Sequence, residues 1–263
     1  MKLKNESKTL FIPLLGKAIM SKQNLFLEDK KAEEIISKID CDLKQSKWLS
    51  MYMSLRSLII DELCNKYILN NPNLTVIHLG CGLDSRCLRV NDNYNIWYDI
   101  DYENVVDLRK EFYETNSKYK MINSSVLDYN WLNEINDSKN ILIVAEGLTM
   151  YLEKEEIKEL IDQINKKFKN VHLIFDAYTN KGVKYSKIKN PVNKMNAKIK
   201  YGFCSIEEFL SLNKKLKHIK THSIRKENNN LKGLTKFVFN KLYCGKISDS
   251  LYKIYEFDLK SED

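Results

Sequence analysis

One short segment, from Thr75 to Arg86, constrains the fold of this chain more than any other feature; it reads Thr-Val-Ile-His-Leu-Gly-Cys-Gly-Leu-Asp-Ser-Arg. Its first five residues are mostly apolar or β-branched, which is typical of a fully buried strand, and two glycines end that strand abruptly. Gly80-Cys81-Gly82 permits a sharp turn and the close approach of a ligand, because neither glycine carries a Cβ. A strand that ends in G-x-G at the start of an α/β repeat is a common site for nucleotide-like ligands. An ordinary strand-to-loop turn has the same pattern, so the flanking sequence must distinguish the two.

The position that follows this turn argues against a dinucleotide. Dinucleotide-binding chains continue to a third glycine, which leaves the N-terminus of the next helix free for a pyrophosphate. Here Ser85 occupies that position. The pattern therefore favours a ligand that has an adenosine but no phosphates, and S-adenosylmethionine is such a ligand.

Length and charge limit the class of protein. The chain has 263 residues, which is long enough for one sizeable core. Its formal net charge is +8. The lysines are spread along the chain rather than clustered, so they do not indicate a nucleic-acid surface; the densest basic stretch is 181–200.

The apolar runs are too short for a membrane span of about 20 residues. Pro13 interrupts the apolar run near the N-terminus and no cleavage site follows, so we expect mature sequence.

The cysteines and histidines indicate neither disulfides nor a metal. The six cysteines are scattered, without a C-x-x-C pair, which favours reduced thiols and a cytoplasmic protein. Cys81 is expected to pack within the turn rather than act as a nucleophile. His218 and His222 lie in a predicted strand, where four residues span about 13 Å, so they are too far apart to share a metal.

Apolar periodicity predicts an α/β chain. The predicted strands cover residues 75–79, 94–100, 120–123, 141–145, 171–175, 217–224 and 251–259. The predicted helices cover residues 25–40, 48–69, 102–115, 153–168, 205–215 and 231–243. Because the early strands are nearly continuous apolar runs that alternate with helices, we expect a doubly wound, mostly parallel sheet of seven strands. The expected organisation is one domain, 1–263, consisting of a helical cap (1–72), a ligand-binding core (73–180), an insertion or lid (181–203) and a C-terminal part that completes the sheet (204–263).

Arg56 stands out because it falls in the middle of the apolar stripe of the helix over 48–69. A guanidinium on an inward face is costly unless an anion pairs with it. One interpretation is an internal salt bridge to Asp or Glu. The other is that Arg56 binds the carboxylate of a ligand, for which arginine is well suited.

Polar residues follow the carboxyl ends of the predicted strands, where ligands bind in such sheets. They are Gly80-Cys81-Gly82, Asp99 or Asp101, Ser124 or Ser125, Glu146 and Asp176. Asp101 lies 19 residues after Gly82, close to the spacing of about 20 residues at which a carboxylate binds ribose hydroxyls. Side chains alternate along a strand, so Asp99 and Asp101 lie on the same face, and spacing alone does not decide which of them binds the ribose hydroxyls.

Three motifs carry a family resemblance: Gly80-Cys-Gly-Leu-Asp-Ser-Arg86, Tyr98-Asp-Ile-Asp-Tyr102 and Ala145-Glu-Gly-Leu-Thr-Met-Tyr-Leu152. They are similar to motifs of the leucine carboxyl methyltransferase family, which includes the tetracenomycin-type polyketide O-methyltransferases of bacteria. The resemblance also takes in Pro13 to Lys17, Arg56 and Trp131, and so covers roughly residues 10–180. The C-terminal third carries no matching motif.

This resemblance implies a Rossmann-like class I methyltransferase that uses S-adenosylmethionine and has a helical cap before its sheet. The implied cofactor contacts are Arg56 with the methionine carboxylate, Gly80-Cys81-Gly82 with the methionyl and ribose groups, Asp101 with the ribose hydroxyls, Ser125 and Val126 with the adenine, and Glu146 with the methionine amino group. Tyr151 is implied at the methyl-transfer end. Many members carry Asp-Leu where this chain has Ser125-Val126, and Lys17 is the match for an N-terminal lysine that some members use.

The chemistry that follows depends on the acceptor. A carboxylate is already ionised at neutral pH, with a pKa of about 4, so it needs placement and exclusion of water but no general base. A hydroxyl acceptor needs a base, for which Tyr178, Asp176 and His78 are candidates.

We therefore expect a small-molecule O-methyltransferase that acts on a carboxylate, with a hydroxyl as the other chemistry. One alternative is a tRNA- or RNA-modifying methyltransferase, motivated by the basic stretch 181–200, although few aromatic residues are interleaved there. Another is a non-catalytic protein that binds S-adenosylmethionine. The sequence indicates no membrane partner and no oligomeric state.

Overall fold

A seven-stranded sheet forms the centre of the chain, whose computed structural model describes residues 9–39, 43–136, 138–187, 197–224 and 231–260. The strands are β1 (Thr75–Leu79), β2 (Ile96–Asp101), β3 (Tyr119–Asn123), β4 (Ile141–Ala145), β5 (Asn170–Tyr178), β6 (Leu216–His222) and β7 (Tyr252–Lys260). Their order is β3-β2-β1-β4-β5-β7-β6. Strands β1 to β5 pair in parallel, whereas β7 runs antiparallel to both β5 and β6. The predicted mostly parallel sheet of seven strands is confirmed.

Helices cover both faces of this sheet. They are α1 (Phe11–Lys22), α2 (Lys30–Lys38), α3 (Lys47–Asn70), α4 (Arg86–Arg89), α5 (Glu103–Lys110), α6 (Trp131–Glu134), α7 (Lys154–Lys167), α8 (Asn180–Ser186), α9 (Ile206–Leu210), α10 (Gly233–Tyr243) and α11 (Lys246–Asp249). A 3₁₀ turn covers Thr149–Tyr151. Within the described ranges, none of these helices is both long and apolar enough to cross a membrane.

Burial along the strands follows their place in the sheet. All five residues of β1 and of β4 are buried, because each has a strand on both sides and helices on both faces. β3 lies at the edge, and only two of its five residues are buried. The continuous apolar runs of β1 and β4 thus mark the middle of the sheet, where the strand order reverses.

The N-terminal helices form one of the two helix layers. Side chains of α3, such as Met51, Leu55 and Ile60, belong to the same apolar cluster as Val76 of β1 and Val144 of β4. The opposite face of the sheet packs against α7 and α9 in a second cluster. The segment predicted as a cap is therefore packed directly on the sheet that holds the glycine turn.

Several helix boundaries differ from the prediction. The helix predicted over 25–40 begins at Lys30, because Asn24 and Phe26 have positive φ angles and Asp29 caps the helix, its carboxylate accepting from the Ala32 amide at 2.9 Å. The helices predicted over 102–115 and 205–215 end at Lys110 and Leu210. Helix α1 has no counterpart among the predicted helices, since Pro13 and Gly16 interrupt its apolar pattern.

A cluster of ionisable residues joins three strands on one face of the sheet. His172 of β5 places its Nδ1 2.7 Å from Asp258 Oδ1 and its Nε2 3.3 Å from Glu256 Oε2. The other oxygen of Glu256 lies 2.5 Å from His222 Nε2, and the Tyr67 ring of α3 stacks on His172. Burial opposes protonation of His172, but the two carboxylates prevail and raise its pKa. Although burial also opposes ionisation of Glu256, its hydrogen bonds with the histidines lower its pKa to about 2.

This cluster predicts a pH-dependent stability. The folded-state pKa of His172 is raised above the unfolded value of about 6.5. The stability that protonated His172 adds to the folded state is therefore fully present below the unfolded pKa, and it is lost as pH rises through the folded pKa. We expect His172→Gln to lower the free energy of unfolding more at pH 5.5 than at pH 8.5, as measured by urea denaturation. The control is His218→Gln, whose Nε2 lies 2.9 Å from Thr221 Oγ1. An equal loss at both pH values would contradict the assignment.

Candidate functional site

A large cavity of about 1650 Å³ opens at the carboxyl edge of the parallel strands. It is lined there by Gly80, Cys81 and Gly82 after β1, Asp101 at the end of β2, Ser124 after β3, Glu146 after β4 and Tyr178 at the end of β5. A typical site for one small ligand has a volume of roughly 300–1,000 Å³. This cavity therefore has room for two ligands side by side.

The glycine turn forms the floor of the cavity. Gly80 and Gly82 have φ angles of +62° and +54°, a left-handed conformation that side chains rarely adopt. A Cβ on Gly80 would come within 3.1 Å of Leu148 Cδ1, and one on Gly82 within 3.3 Å of Leu10 Cβ. Cys81 between them is 3% exposed and burial raises the pKa of its thiol, which suits a packing role rather than a nucleophile.

The two aspartates of β2 have different environments. Asp99 is fully buried: it forms an ion pair with Arg109, accepts from Tyr119 Oη at 2.6 Å and accepts from Trp97 Nε1 at 2.8 Å. Asp101 lines the cavity, and its carboxylate accepts the Gly82 and Tyr102 amides, both at 2.8 Å. Burial raises the pKa of Asp101 even though these amides oppose the shift. Of the two candidates, only Asp101 faces the space where a ligand can bind.

Arg56 of α3 and Glu146 after β4 meet on the cavity wall. Arg56 Nη2 lies 2.7 Å from Glu146 Oε1, its Nε donates to the same oxygen at 3.0 Å, and its Nη1 donates to Tyr252 Oη at 2.9 Å. Arg56 Nη1 also lies 3.4 Å from Asp176 Oδ2. Although burial opposes ionisation, Arg56 and Arg86 lower the pKa of Glu146 to about 2. The internal salt bridge of the first interpretation is thus present, and it borders the cavity.

The strand β3 brings two of its three following residues to the cavity. Ser124 and Val126 line it, whereas Ser125 is not among the lining residues. The Ser125 hydroxyl accepts the Leu127 amide at 3.2 Å, and its carbonyl accepts the Asp128 amide at 3.0 Å. Ser125 is therefore used to shape the loop that presents Val126.

A network of buried ion pairs underlies the glycine turn. Lys17 of α1 is 1% exposed and its Nζ lies 2.8 Å from Asp84 Oδ2. Arg86 donates from Nε to Asp61 Oδ1 of α3 at 2.7 Å, and its Nη2 pairs with Glu146. Although burial opposes ionisation, Arg89, Lys17 and Arg86 hold the pKa of Asp84 well below its usual range.

The roles of Asp84 and Arg86 were missed at the sequence level, although both belong to the Leu-Asp-Ser-Arg motif. Their charged side chains next to a glycine turn look like solvated loop residues, because the partners Asp61 and Lys17 come from helices distant in sequence. Among the described residues, no group of three or more His, Cys, Asp or Glu side chains is arranged to hold a metal ion.

The β5 side of the cavity is lined by tyrosines, which sequence spacing did not bring together. They are Tyr52 of α3, Tyr151, Tyr178, Tyr243 of α10 and Tyr252. Tyr178 and Tyr252 meet edge to face with ring centroids 4.8 Å apart. Burial raises the pKa of Tyr52, Tyr243 and Tyr252, and raises that of Tyr151 to about 12. Tyr52, Tyr151, Tyr243 and Tyr252 are therefore neutral at physiological pH.

Comparison with protein families matches residues 6–165 to the family described as leucine carboxyl methyltransferase. The chain is 31% identical over 188 residues to the tetracenomycin polyketide synthesis O-methyltransferase TcmP of Streptomyces glaucescens, covering 68% of this chain and 70% of that protein. It is 28% identical over 199 residues to the S-adenosyl-L-methionine-dependent methyltransferase dpfgK of Gibberella zeae, covering 66% and 67%.

Solved structures of low sequence identity share the fold. The N-methyltransferase NodS of Bradyrhizobium japonicum WM9, in complex with S-adenosyl-L-homocysteine, aligns with a TM-score of 0.51 and 12% identity over 89% of this chain and 100% of that one. Magnesium protoporphyrin IX methyltransferase of Synechocystis PCC 6803 aligns with a TM-score of 0.54 and 10% identity over 88% and 94%. The sheet described above is thus that of class I methyltransferases.

The ion-pair network predicts a large loss of stability when one partner is removed. Arg86→Ala leaves the buried carboxylates of Asp61 and Glu146 without one of their charge partners, and we expect it to lower the free energy of unfolding by about 3–5 kcal/mol. The control Lys158→Ala removes a surface pair with Asp162, for which we expect a loss of under about 1 kcal/mol. Urea denaturation at pH 7 compares the two, and similar losses would contradict the structural role of Arg86.

Proposed function

Because the chain belongs to the leucine carboxyl methyltransferase family, we propose that it transfers a methyl group from S-adenosylmethionine to an oxygen of a small molecule, and that this oxygen belongs to a carboxylate. The chain is an enzyme, a methyltransferase, and its cofactor is S-adenosylmethionine. The similarity to an O-methyltransferase of polyketide synthesis supports a small-molecule acceptor. The free thiols of Cys64, Cys81, Cys87, Cys204 and Cys244 support the further proposal of a cytoplasmic location.

The charge pattern of the cavity wall fits this cofactor. Arg56 and Glu146 present one cation and one anion side by side, which matches the carboxylate and ammonium of the methionine end. Asp101 presents an acceptor for ribose hydroxyls, and the glycine turn lines the cavity with no Cβ at Gly80 or Gly82. Val126 offers an apolar contact for the adenine, with Ser125 holding the loop behind it. When bound, S-adenosylmethionine supplies an electrophilic methyl group on a sulfonium.

One observation supports a carboxylate over a hydroxyl: on the tyrosine-lined β5 side of the cavity, the described lining residues include no histidine and no carboxylate other than Glu153 and Glu156 at the rim. Burial raises the pKa values of Tyr52, Tyr151, Tyr243 and Tyr252, so these phenols are neutral. Glu153 and Glu156, at the rim, are engaged in the capping box of α7. Asp176, a candidate base from the sequence, accepts the Gly147 amide at 2.7 Å and is fully buried. His78 also borders the cavity, but it lies beneath the glycine turn rather than on the tyrosine-lined side. Its Nε2 lies 3.3 Å from Arg86 Nη1.

The residues of the chain then act by placement and exclusion of water. A carboxylate acceptor has no proton to lose, so its ionised oxygen needs only alignment with the methyl group. The tyrosines of the acceptor side hold an acceptor against the wall, and their bulk limits the water beside it. Arg56, held by Glu146 and Tyr252, fixes the border between the two sides of the cavity.

The cofactor assignment predicts a binding defect. Asp101→Ala removes the acceptor proposed for the ribose hydroxyls, and we expect it to weaken S-adenosylhomocysteine binding by roughly 1.5–3 kcal/mol, the value of hydrogen bonds to a charged group. Isothermal titration calorimetry measures this against the control Asp107→Ala, which alters an exposed carboxylate of α5. If the wild-type protein bound no S-adenosylhomocysteine at millimolar concentration, the proposed function would be wrong.

The carboxylate assignment predicts a flat pH profile. With a small hydroxylated aromatic carboxylic acid as acceptor, we expect kcat/KM to change by less than about threefold from pH 6 to pH 9, because the carboxylic acid group is ionised above its pKa of about 4. Transfer of a radiolabelled methyl group measures the rate. A rise of about tenfold for each pH unit, the behaviour of a hydroxyl that must lose a proton, would contradict it, as would a hundredfold loss of kcat in Tyr151→Phe.

A further inference from the structure

The strand order divides the cavity into two sides. The glycine turn follows β1, Asp101 ends β2 and Ser124 follows β3. On the other side, Tyr178 and Tyr252 belong to β5 and β7. Strand β4 and its following Glu146 lie between these two groups. Because neighbouring strands are about 4.8 Å apart, the proposed cofactor side and the tyrosine-lined side are adjacent but distinct. We call the second side the tyrosine chamber, lined by Tyr52, Tyr151, Tyr178, Tyr243 and Tyr252.

The side chains of the tyrosine chamber suit a flat aromatic ligand. Tyr52 contacts both Tyr243 and Tyr252, with ring centroids 6.3 Å apart in each case. Edge-to-face and tilted rings of this kind present both ring faces and ring edges, which pack well against another aromatic system. The walls are also apolar where α3 and α10 contribute Met53 and Leu242.

A set of lysines forms the rim of this chamber. Lys181 and Lys184, one helical turn apart on α8, line the cavity from one side. Lys198 and Lys200 line it from the extended segment 197–200, in which they alternate with the buried Ala197 and Ile199. In each pair, the spacing of the two lysines along the backbone places both side chains on the same face, which is the face toward the cavity.

The charge of this rim is not balanced by its carboxylates. Lys200 lies 3.6 Å from Glu156 and 3.9 Å from Glu153, and these are the acidic residues of the rim. Within the part of the chain that the structure describes, no ion pair is formed by Lys181, Lys184 or Lys198. Two further lysines of the basic stretch 181–200, Lys189 and Lys194, lie outside the described residues.

We propose that the tyrosine chamber binds an aromatic acceptor that carries a second acidic group, and that Lys181, Lys184 and Lys198 bind this group at the rim. The proposal rests on the proposed function, which places the carboxylate to be methylated at the cofactor side. A group bound at the rim is separated from that carboxylate by the length of the aromatic body. The acidic group at the rim therefore stays ionised in the product, and it selects the acceptor without taking part in the methyl transfer.

A pair of matched ligands tests the rim. Naphthalene-2,6-dicarboxylate and 2-naphthoate differ by one carboxylate, and each is titrated calorimetrically into the full chain saturated with S-adenosylhomocysteine. We expect the diacid to bind about tenfold more tightly than the monoacid, the combined effect of a few exposed ion pairs. This preference is lost in the triple variant Lys181→Gln, Lys184→Gln and Lys198→Gln.

A control variant removes the same charge elsewhere. Lys66→Gln, Lys139→Gln and Lys166→Gln alter exposed lysines that do not line the cavity, and we expect this variant to keep the preference for the diacid. Equal affinity for the two acids in the wild-type protein, no binding of either at millimolar concentration, or a preference that persists in the rim variant would each overturn the proposal. Displacement of the diacid by unfractionated tRNA at micromolar concentration would also overturn it, in favour of a nucleic acid.

The S-adenosylhomocysteine titration separates this proposal from the proposed function. If the wild-type protein and both triple variants bind S-adenosylhomocysteine with the same affinity, any change in diacid binding comes from the rim. If the wild-type protein does not bind it, the proposed function fails, whatever the result with the two acids.

Discussion

The buried guanidinium of Arg86 is the interaction on which the site depends. It is fully buried and pairs with Asp61 of α3 and with Glu146 after β4, and it also lies 3.6 Å from Asp84 in the loop before α4. A buried arginine with several carboxylate partners is costly to desolvate and costly to leave unpaired. The position of the glycine turn is therefore set by charges from elements on both sides of it.

The same network fastens the N-terminal helices to the sheet edge. Lys17 of α1 reaches Asp84, and Arg89 of α4 reaches Asp29, the cap of α2, at 2.8 Å. Ser85 takes part as well, because its hydroxyl donates to Asp29 at 2.5 Å. The position that holds a third glycine in dinucleotide sites is thus used here to anchor a helix. This explains in physical terms why the motif departs from the dinucleotide pattern.

Much of the fold could be predicted from local sequence, because β1, β4 and α7 have unbroken apolar periodicity. The bounds of α2 and α5 could not be predicted from local sequence. The positive φ angles at Asn24 and Phe26, and the end of α5 at Lys110, depend on packing. The position of Asp101 and Glu146 on the cavity wall could be predicted, because the ends of parallel strands converge. Tyr151 and Tyr178 were singled out separately, but the tyrosine chamber as a unit was missed, because its residues come from α3, the 3₁₀ turn, β5, α10 and β7 and no spacing in the sequence relates them.

The antiparallel direction of β7 has a consequence for the order of assembly. Since β7 runs opposite to its neighbours, its first residue, Tyr252, lies at the carboxyl edge of the parallel strands, where it accepts a hydrogen bond from Arg56. All the parallel strands and the proposed cofactor residues precede it in the chain. During synthesis on the ribosome, the sheet edge and the glycine turn emerge first, and the wall of the chamber is closed only when β7 has left the exit tunnel. A nascent chain thus acquires the elements proposed to hold the cofactor before it acquires the complete surface proposed to choose the acceptor.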